Sequence, residues 1–486
     1  MSIGLNQFQK AGGYNGHGAT NAAEVEALQK ALEAGYQIGA GRTGGSALRV
    51  ESLEVSLKVL TFSASHIKMW KKIHKSPAYS TVEEYNQLSD YGGQASPWTR
   101  EGELPQASDS SYRRQTKLVK FLGTVREVTH QASLVTPGHG DLVALENQNG
   151  IMHLLEQVEK SLFSGDSSLA FDGEAEQWDG LDTLIDPTSV LDLEGHAMQE
   201  ADIEEASNIV LENFGFPTDL HHGFRTHSDL TKTFYPRQRI QMPAPVNGKV
   251  GMTIGSIATS AGDIEMNPNV FIRKTPTAPS AATSSNAPAT PTSIAAAVDG
   301  AATDGDFEKG AAAGANEYGY VVTAANRFGE SAPTAFPGAL TSISAGQKAS
   351  GANLALTITN AATIGAQPPE FFKVYRTRSQ ASGAAVPSSL ADYALVAKIP
   401  ASSQGASGVT LVDDVNLTLP FTSVAYLGEM TPSVLTFRQL MPMMKMDLAV
   451  LSPAYRWMIL LYGTPIMFAR KKWIRLINVG SLETRA

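Results

Sequence analysis

The sequence predicts an α+β host interrupted by an all-β sandwich, and three observations carry that prediction. Between about residues 276 and 422 the composition turns to Ala, Ser, Thr, Gly, Pro and Val, and this stretch holds none of the ten His, five Trp or fourteen Met residues. Within it, short runs of two-residue period recur between Gly, Pro and Ser clusters, as in a small antiparallel sandwich. The flanks mix runs of helical spacing with β-type runs. At 486 residues, 42% of them hydrophobic, the chain has room for two or three domains with real cores.

Taken in order, residues 24–36 predict a short helix with Val25, Leu28, Ala31 and Leu32 on one face, followed by the Gly-rich run at 39–45. A helix and then a flexible strap describe an N-terminal arm over residues 1–50. Residues 79–106 are polar and dense in Gly, Pro and Tyr, and 112–129 form a β-type run, so 79–129 reads as a long loop or hairpin with little core of its own. Segments of that kind usually reach for something. Tyr85, Tyr91, Trp98 and Pro105 are its candidate subunit contacts, because rigid rings dominate interface energies. Residues 141–163 have helical spacing, with Leu142, Leu145, Met152, Leu155, Val158 and Leu162 near one stripe and Gly165 suited to a left-handed cap. A second helix is expected at about 198–213, ended by Gly215 and Pro217. Two β-rich stretches, 250–272 and 456–477, flank the insert.

Inside the insert, Tyr318, Tyr320, Val322 and Ala324 alternate on one side of a strand, and Asn326-Arg327-Phe328-Gly329 supplies a turn. Further strands are expected at 354–358, 371–377, 393–399 and 409–412.

A net charge of -9 and a pI near 5.6 argue against a nucleic-acid binder. The absence of Cys excludes disulfides, thiolate metal sites and a Cys nucleophile. The N-terminus lacks the pattern of a signal peptide. The longest apolar run, 457–469, contains Gly463 and Pro465 and is too short for a bilayer, so neither a membrane partner nor export is expected.

Enzyme signals are weak. Gly39-Ala40-Gly41-Arg42-Thr43-Gly44 matches the dinucleotide fingerprint formally but follows a helix rather than a strand. His221, His222 and His227 near Asp219 and Asp229 read as a solvated polar loop rather than a metal cluster. Lys71, Lys72 and Lys75 beside Trp70 read as a solvated helix face rather than a nucleic-acid contact. Glu204-Glu205 and Asp413-Asp414 read as solvent-facing pairs, and His130, His139 and His153 as surface or interface residues. No catalytic, cofactor or metal residue is assigned, and no enzymatic activity is expected.

Two resemblances complete the expectations. The run from Tyr320 through Asn326, Gly329-Glu330-Ser331 and Pro333 resembles the fibronectin type III signature, with Phe372-Lys373-Val374-Tyr375-Arg376-Thr377 and Leu411-Val412-Asp413-Asp414 similar to its later half; another Ig-like sandwich would share the architecture. The host order of arm, extended loop, long helix, Trp178-Asp179-Gly180-Leu181-Asp182-Thr183-Leu184-Ile185-Asp186 and the closing Leu461-Tyr462-Gly463-Thr464-Pro465 with Ala469-Arg470-Lys471-Lys472 resembles the major capsid proteins of tailed bacteriophages, the Hong Kong 97 fold. The run from Gly251 to Ile272 looks like a strand pair common to larger members.

The second resemblance implies a peripheral domain at 51–200, with an extended loop at 79–129 and a spine helix at 141–163. It implies an axial domain at 201–274 and 426–486, and a sandwich at 275–425 displayed outside an icosahedral shell of hexamers and pentamers. The shell would enclose double-stranded DNA without sequence-specific contacts and would belong to a virion assembled in the bacterial cytoplasm. Further partners implied are a portal, a scaffold separate from an uncleaved chain, and a decoration protein. Lys117 and Lys120 are lysines near the loop, but no cross-linking residue is assigned. An encapsulin-type shell and a non-shell cell- or glycan-binding protein are the alternatives.

Overall fold

The computed structural model describes residues 61–92, 96, 98–104, 107–134, 141–169, 177–238, 254–361, 368–401, 409–449 and 452–482. The expected arm, the Gly-rich run at 39–45, Pro105, His139 and Gly251-Met252-Thr253 lie outside these residues.

The host strands are β1 (His74–Pro77), β2 (Val82–Asp90), β3 (Ser111–Leu118), β4 (Lys120–Thr129), β5 (Val190–Asp192), β6 (Asp219–Gly223), β7 (Ser256–Thr259) and β8 (Gly262–Asn269). Strands β9 (Ser293–Asp299), β10 (Asn316–Tyr318), β11 (Tyr320–Asn326), β12 (Gly329–Glu330), β13 (Thr341–Ile343), β14 (Asn353–Thr359), β15 (Phe371–Thr377), β16 (Gln380–Ala381), β17 (Tyr393–Pro400) and β18 (Val409–Asp414) form the sandwich. The host resumes with β19 (Ser423–Gly428), β20 (Leu435–Asp447), β21 (Ala454–Met467) and β22 (Trp473–Val479), and its longer helices are α1 (Leu142–Ser164), α2 (Glu200–Glu212) and α3 (Phe224–Gln238).

Among the described residues the host strands form two larger sheets and the two-stranded ribbon of β2 and β3. The first has the order β1-β20-β21-β4, and the second the order β5-β22-β19-β6-β8-β7. The apolar run that is too short for a membrane is β21, held between β20 and β4 and therefore covered along most of its length. Gly463 stands there because a Cβ would come within 2.4 Å of the Phe437 ring. Strand β4 also takes residues 120–129 out of the expected loop and into this sheet, paired from Thr129↔Ala454 to Lys120↔Gly463.

The stripe of α1 buries Leu154, Val158, Leu162 and Phe163, the last three with Trp178, Leu181, Leu184 and Ile185 and with Leu435, Phe437 and Leu461. Trp178 meets Phe437 edge-on at 5.4 Å. Gly165 ends this helix, but for a different reason than a left-handed turn. Its Cβ would sit 2.5 Å from both Ser161 O and Trp178 O, so the requirement is a close backbone crossing sealed by Gly180 N donating to Gly165 O. A second core joins Ile203, Ala206 and Val210 of α2 to Leu220, Ile264, Leu427, Ile474 and Leu476.

Glu159 binds α1 to the rest. It is wholly buried, and its carboxylate accepts from Lys68 N at 3.0 Å, Met69 N at 2.8 Å, Trp70 N at 2.9 Å and Asn269 Nδ2 at 2.6 Å. Four donors make burial of the charge tolerable.

The inserted strands build sheets β12-β11-β15-β17 and β18-β14-β9, with β13-β10-β16 beside them. Tyr320, Val322, Ala324, Phe372 and Val374 face Leu354, Leu356 and Ile358 in one core. The expected pairing of Asp413-Asp414 with solvent fails at Asp414. Its Oδ2 accepts from Arg376 Nη1 at 2.6 Å and Tyr320 Oη at 2.9 Å, because Arg376 is wholly buried and needs a counter-ion. Asn416 is buried, and its amide donates to Asp306 O at 2.7 Å and Lys309 O at 3.1 Å. The described sandwich and host sheets belong to one compact unit.

Candidate assembly surface

Among the described residues, strands β2 and β3 pair only with each other, from Val82↔Leu118 to Asp90↔Ser111. Residues of β2 alternate between exposed and half-buried, β3 is exposed over its first four residues and alternates after them, and none is fully buried, so this hairpin draws little stability from a core of its own. Its base is fixed to the host at three points. Tyr85 packs edge-on against Phe468 with ring centroids 5.1 Å apart, Gln87 Nε2 donates to Phe468 O, and Lys117 Nζ lies 2.6 Å from Asp179 Oδ2. Asp179 in turn accepts from Ser167 N at 3.1 Å, and these donors hold its carboxyl below the usual range against the desolvation of its site.

Beyond that base, large apolar side chains among the described residues stand uncovered. Tyr91 and Trp98 are each 88% exposed and Leu104 is 93% exposed. Asp90 Oδ1 accepts from Gly92 N at 3.0 Å, and Gly92 takes φ +95°, a left-handed value that Gly adopts without strain. Tyr85, Tyr91 and Trp98 therefore separate: the first is spent at home, and the other two face solvent. Tyr79, Leu104 and Tyr112 are exposed apolar neighbours that sequence reasoning passed over, although the density of Tyr in that segment signalled them.

Most of the remaining sequence candidates find partners within the chain, while His153 and Glu205 are exposed. His221 and His222 are fully buried on β6, an interior strand of the six-stranded sheet, and do not form a solvated loop. Adjacent strand residues point to opposite faces, and here both faces are covered. The His221 ring lies 6.3 Å from that of Trp473 and nearly parallel to it, and burial presses its pKa down to about 4. His222 Nε2 lies 3.1 Å from His227 Nδ1, and burial first, then His227, lowers its pKa to about 3. Among the described residues no group of three His, Asp or Glu is placed to hold a metal.

The basic cluster is likewise engaged. Lys72 Nζ reaches Asp219 Oδ1 at 2.6 Å and Glu265 Oε2 at 2.7 Å, Lys75 Nζ sits 4.3 Å above the Trp70 ring, and Lys71 Nζ donates to Ala64 O at 2.5 Å. Glu204 accepts from Ser260 N at 3.1 Å, and the His130 ring lies 6.1 Å from that of Tyr455.

The family model described as SU10 major capsid protein matches residues 14–325. The major capsid protein of Staphylococcus phage K is 27% identical over 467 residues, covering 93% of this chain and 95% of that protein. Among solved structures, the capsid of cyanophage P-SCSP1u is similar with a TM-score of 0.44 at 6% identity, covering 91% of this chain and 97% of the other. The holo-SrpI encapsulin of Synechococcus elongatus is similar with a TM-score of 0.39 at 10% identity, covering 90% and 96%.

Proposed function

This chain belongs to the SU10 major capsid protein family, and from that premise we propose that the hairpin of β2 and β3 is the limb with which each protomer holds its neighbour. Copies of the chain build the shell of a tailed phage and are part of its virion, a structural role. With that membership goes the Hong Kong 97-type α+β fold.

In this reading the hairpin is the extended loop, α1 the spine helix, the sheet of β1, β20, β21 and β4 the peripheral wall, and the six-stranded sheet the axial part. The shell is made of hexamers and pentamers. Residues 275–425 form an Ig-like module of fibronectin type III character on the outer surface, which its separate core supports. The net charge of -9 suits a wall that repels the enclosed double-stranded DNA rather than gripping it. A portal, a separate scaffold and a decoration protein complete the particle, which assembles in the bacterial cytoplasm.

The observation that carries the proposal is the contrast within the hairpin between a base fixed by Tyr85, Gln87 and Lys117 and a tip with Tyr91, Trp98 and Leu104 uncovered. Surface of that kind gains stability only by association. Replacing residues 91–110 by Asn-Gly, a turn suited to two-stranded ribbons, tests it by negative-stain microscopy. The wild type is expected to form particles and the shortened chain to remain as soluble protomers; normal particles from the shortened chain would refute the role of the hairpin.

A further inference from the structure

Where the sandwich joins the host, a cavity of about 320 Å³ is walled by both, and its lining is rich in cations. Lys274 stands where the host chain leaves for the sandwich, and Arg376 and Arg378 lie at and just beyond the end of β15. Lys309 also lines it, but its ammonium is matched by Asp192 at 2.7 Å and Asp306 at 3.5 Å. Neither Lys274 nor Arg378 has a carboxylate partner among the described residues. Arg378 rests instead over the Phe421 ring at 4.8 Å. The acid in the lining is Glu194, which is exposed.

Arg376 adds the second observation. It is wholly buried, and its two terminal nitrogens are spent on Asp414, Asn416 and Thr418 O, yet its Nε–H has no acceptor. A buried donor without an acceptor bears the full cost of losing water. Ser379 Oγ, also in the lining, stands beside the Tyr318 hydroxyl and adds a hydroxyl donor to the cavity wall. Burial lowers the Lys274 pKa first, and the nearby Arg225 and Arg378 charges lower it further, opposed by Asp229. Lys274 and Arg378 thus stand near one another with no carboxylate in direct contact with either among the described residues.

We propose that this cavity binds a small tetrahedral oxyanion, inorganic phosphate or sulfate, held between Lys274 on the host side and Arg376, Arg378 and Ser379 on the sandwich side. Guanidinium and ammonium groups together with a hydroxyl form the donor set such an anion takes. Bound there, it ties the sandwich to the host beside the Lys309–Asp192 pair and stiffens the root of the module.

The test is calorimetric titration of the full-length protein with inorganic phosphate in chloride buffer at constant ionic strength, with thermal unfolding followed in parallel. Saturable binding that sulfate displaces is expected, together with a rise in unfolding temperature. The pair Lys274→Gln and Arg378→Gln, both on exposed side chains, is expected to weaken binding by roughly tenfold or more, as charge-assisted contacts require, and to leave unfolding in phosphate-free buffer unchanged. The control pair Arg100→Gln and Arg113→Gln on the hairpin removes the same charge elsewhere and is expected to bind as the wild type does. Absent binding in the wild type, equal binding in the cavity variant, or an equal loss in the control would each overturn the proposal.

Discussion

Lys309 of the sandwich reaches Asp192 at the end of β5, Nζ to Oδ2 at 2.7 Å, with the lysine side chain only 5% exposed. The same carboxylate accepts from Asn478 Nδ2 at 2.9 and 3.0 Å, and Asn478 also accepts from Leu419 N at 2.7 Å and donates to Leu417 O at 2.9 Å. The junction of insert and host is thus one polar network. Asp192→Ala leaves the buried ammonium only the longer contact to Asp306 at 3.5 Å and takes away the carboxylate acceptor of Asn478 Nδ2, and is expected to cost about 3 kcal/mol. Lys309→Met leaves Asp192 its other donors and partial solvent, and should cost about 1 kcal/mol. Urea unfolding of both variants measures the asymmetry; equal losses would contradict it.

Glu159 is a second fixed point. Glu159→Gln puts an amide against four donors and is expected to lose about 3 kcal/mol, with Glu159→Ala losing more. Hydrogen exchange should show the loss first at Met69 and Trp70. Protection there equal to wild type would show that the carboxylate is dispensable.

The buried imidazoles make the fold sensitive to acid. The unfolded chain takes up their protons near pH 6.5, whereas the folded His221 and His222 do so only near 4 and 3. Stability is therefore complete above about pH 6.5 and falls as the pH drops through the window down to 4 and then 3, by up to about 1.4 kcal/mol per pH unit for each group. His221→Phe, which keeps a ring beside Trp473 and Phe163, should flatten that decline. Urea midpoints at pH 7, 6 and 5 give the comparison, and identical slopes in the two proteins would count against it.

Gly165→Ala drives a Cβ to 2.5 Å from two carbonyl oxygens of the main chain, which cannot swing aside as a side chain could. A loss of about 2 kcal/mol is expected, visible as a lower unfolding temperature. An unchanged temperature would mean that the crossing at Gly180 is looser than its geometry.

Tyr85 and Tyr91 should behave oppositely. Tyr85→Ala removes the ring against Phe468 and is expected to destabilise the isolated protomer by about 2 kcal/mol. Tyr91→Ala removes a ring that is 88% exposed and should leave the protomer unchanged while weakening association. Thermal unfolding and sedimentation of each variant separate the two effects, and a reversed pattern would be decisive against the assignment of the hairpin tip.

Local periodicity made much of this legible in advance. The helical spacing of residues 141–163 became α1 and the Tyr-rich segment became an exposed hairpin, because spacing of 3.6 or 2 residues is a property of the chain itself. The run of Tyr318, Tyr320, Val322 and Ala324 is instead broken at Gly319 into β10 and β11, which lie in different sheets, and β11 is buried on both faces rather than on one. What spacing does not contain is which distant segment closes over a residue. Tyr85 turned inward because β2 lies against Phe468, the His pair was buried because Phe163 and Trp473 pack on His221 and His227 of α3 on His222, and Asp414 met Arg376 because β15 and β18 lie in facing sheets of one sandwich. The sequence by itself determined the elements, the interruption and the bare aromatic hairpin. Only tertiary structure decided which polar and aromatic groups are used at home, since burial and charge pairing are set by neighbours far away along the chain.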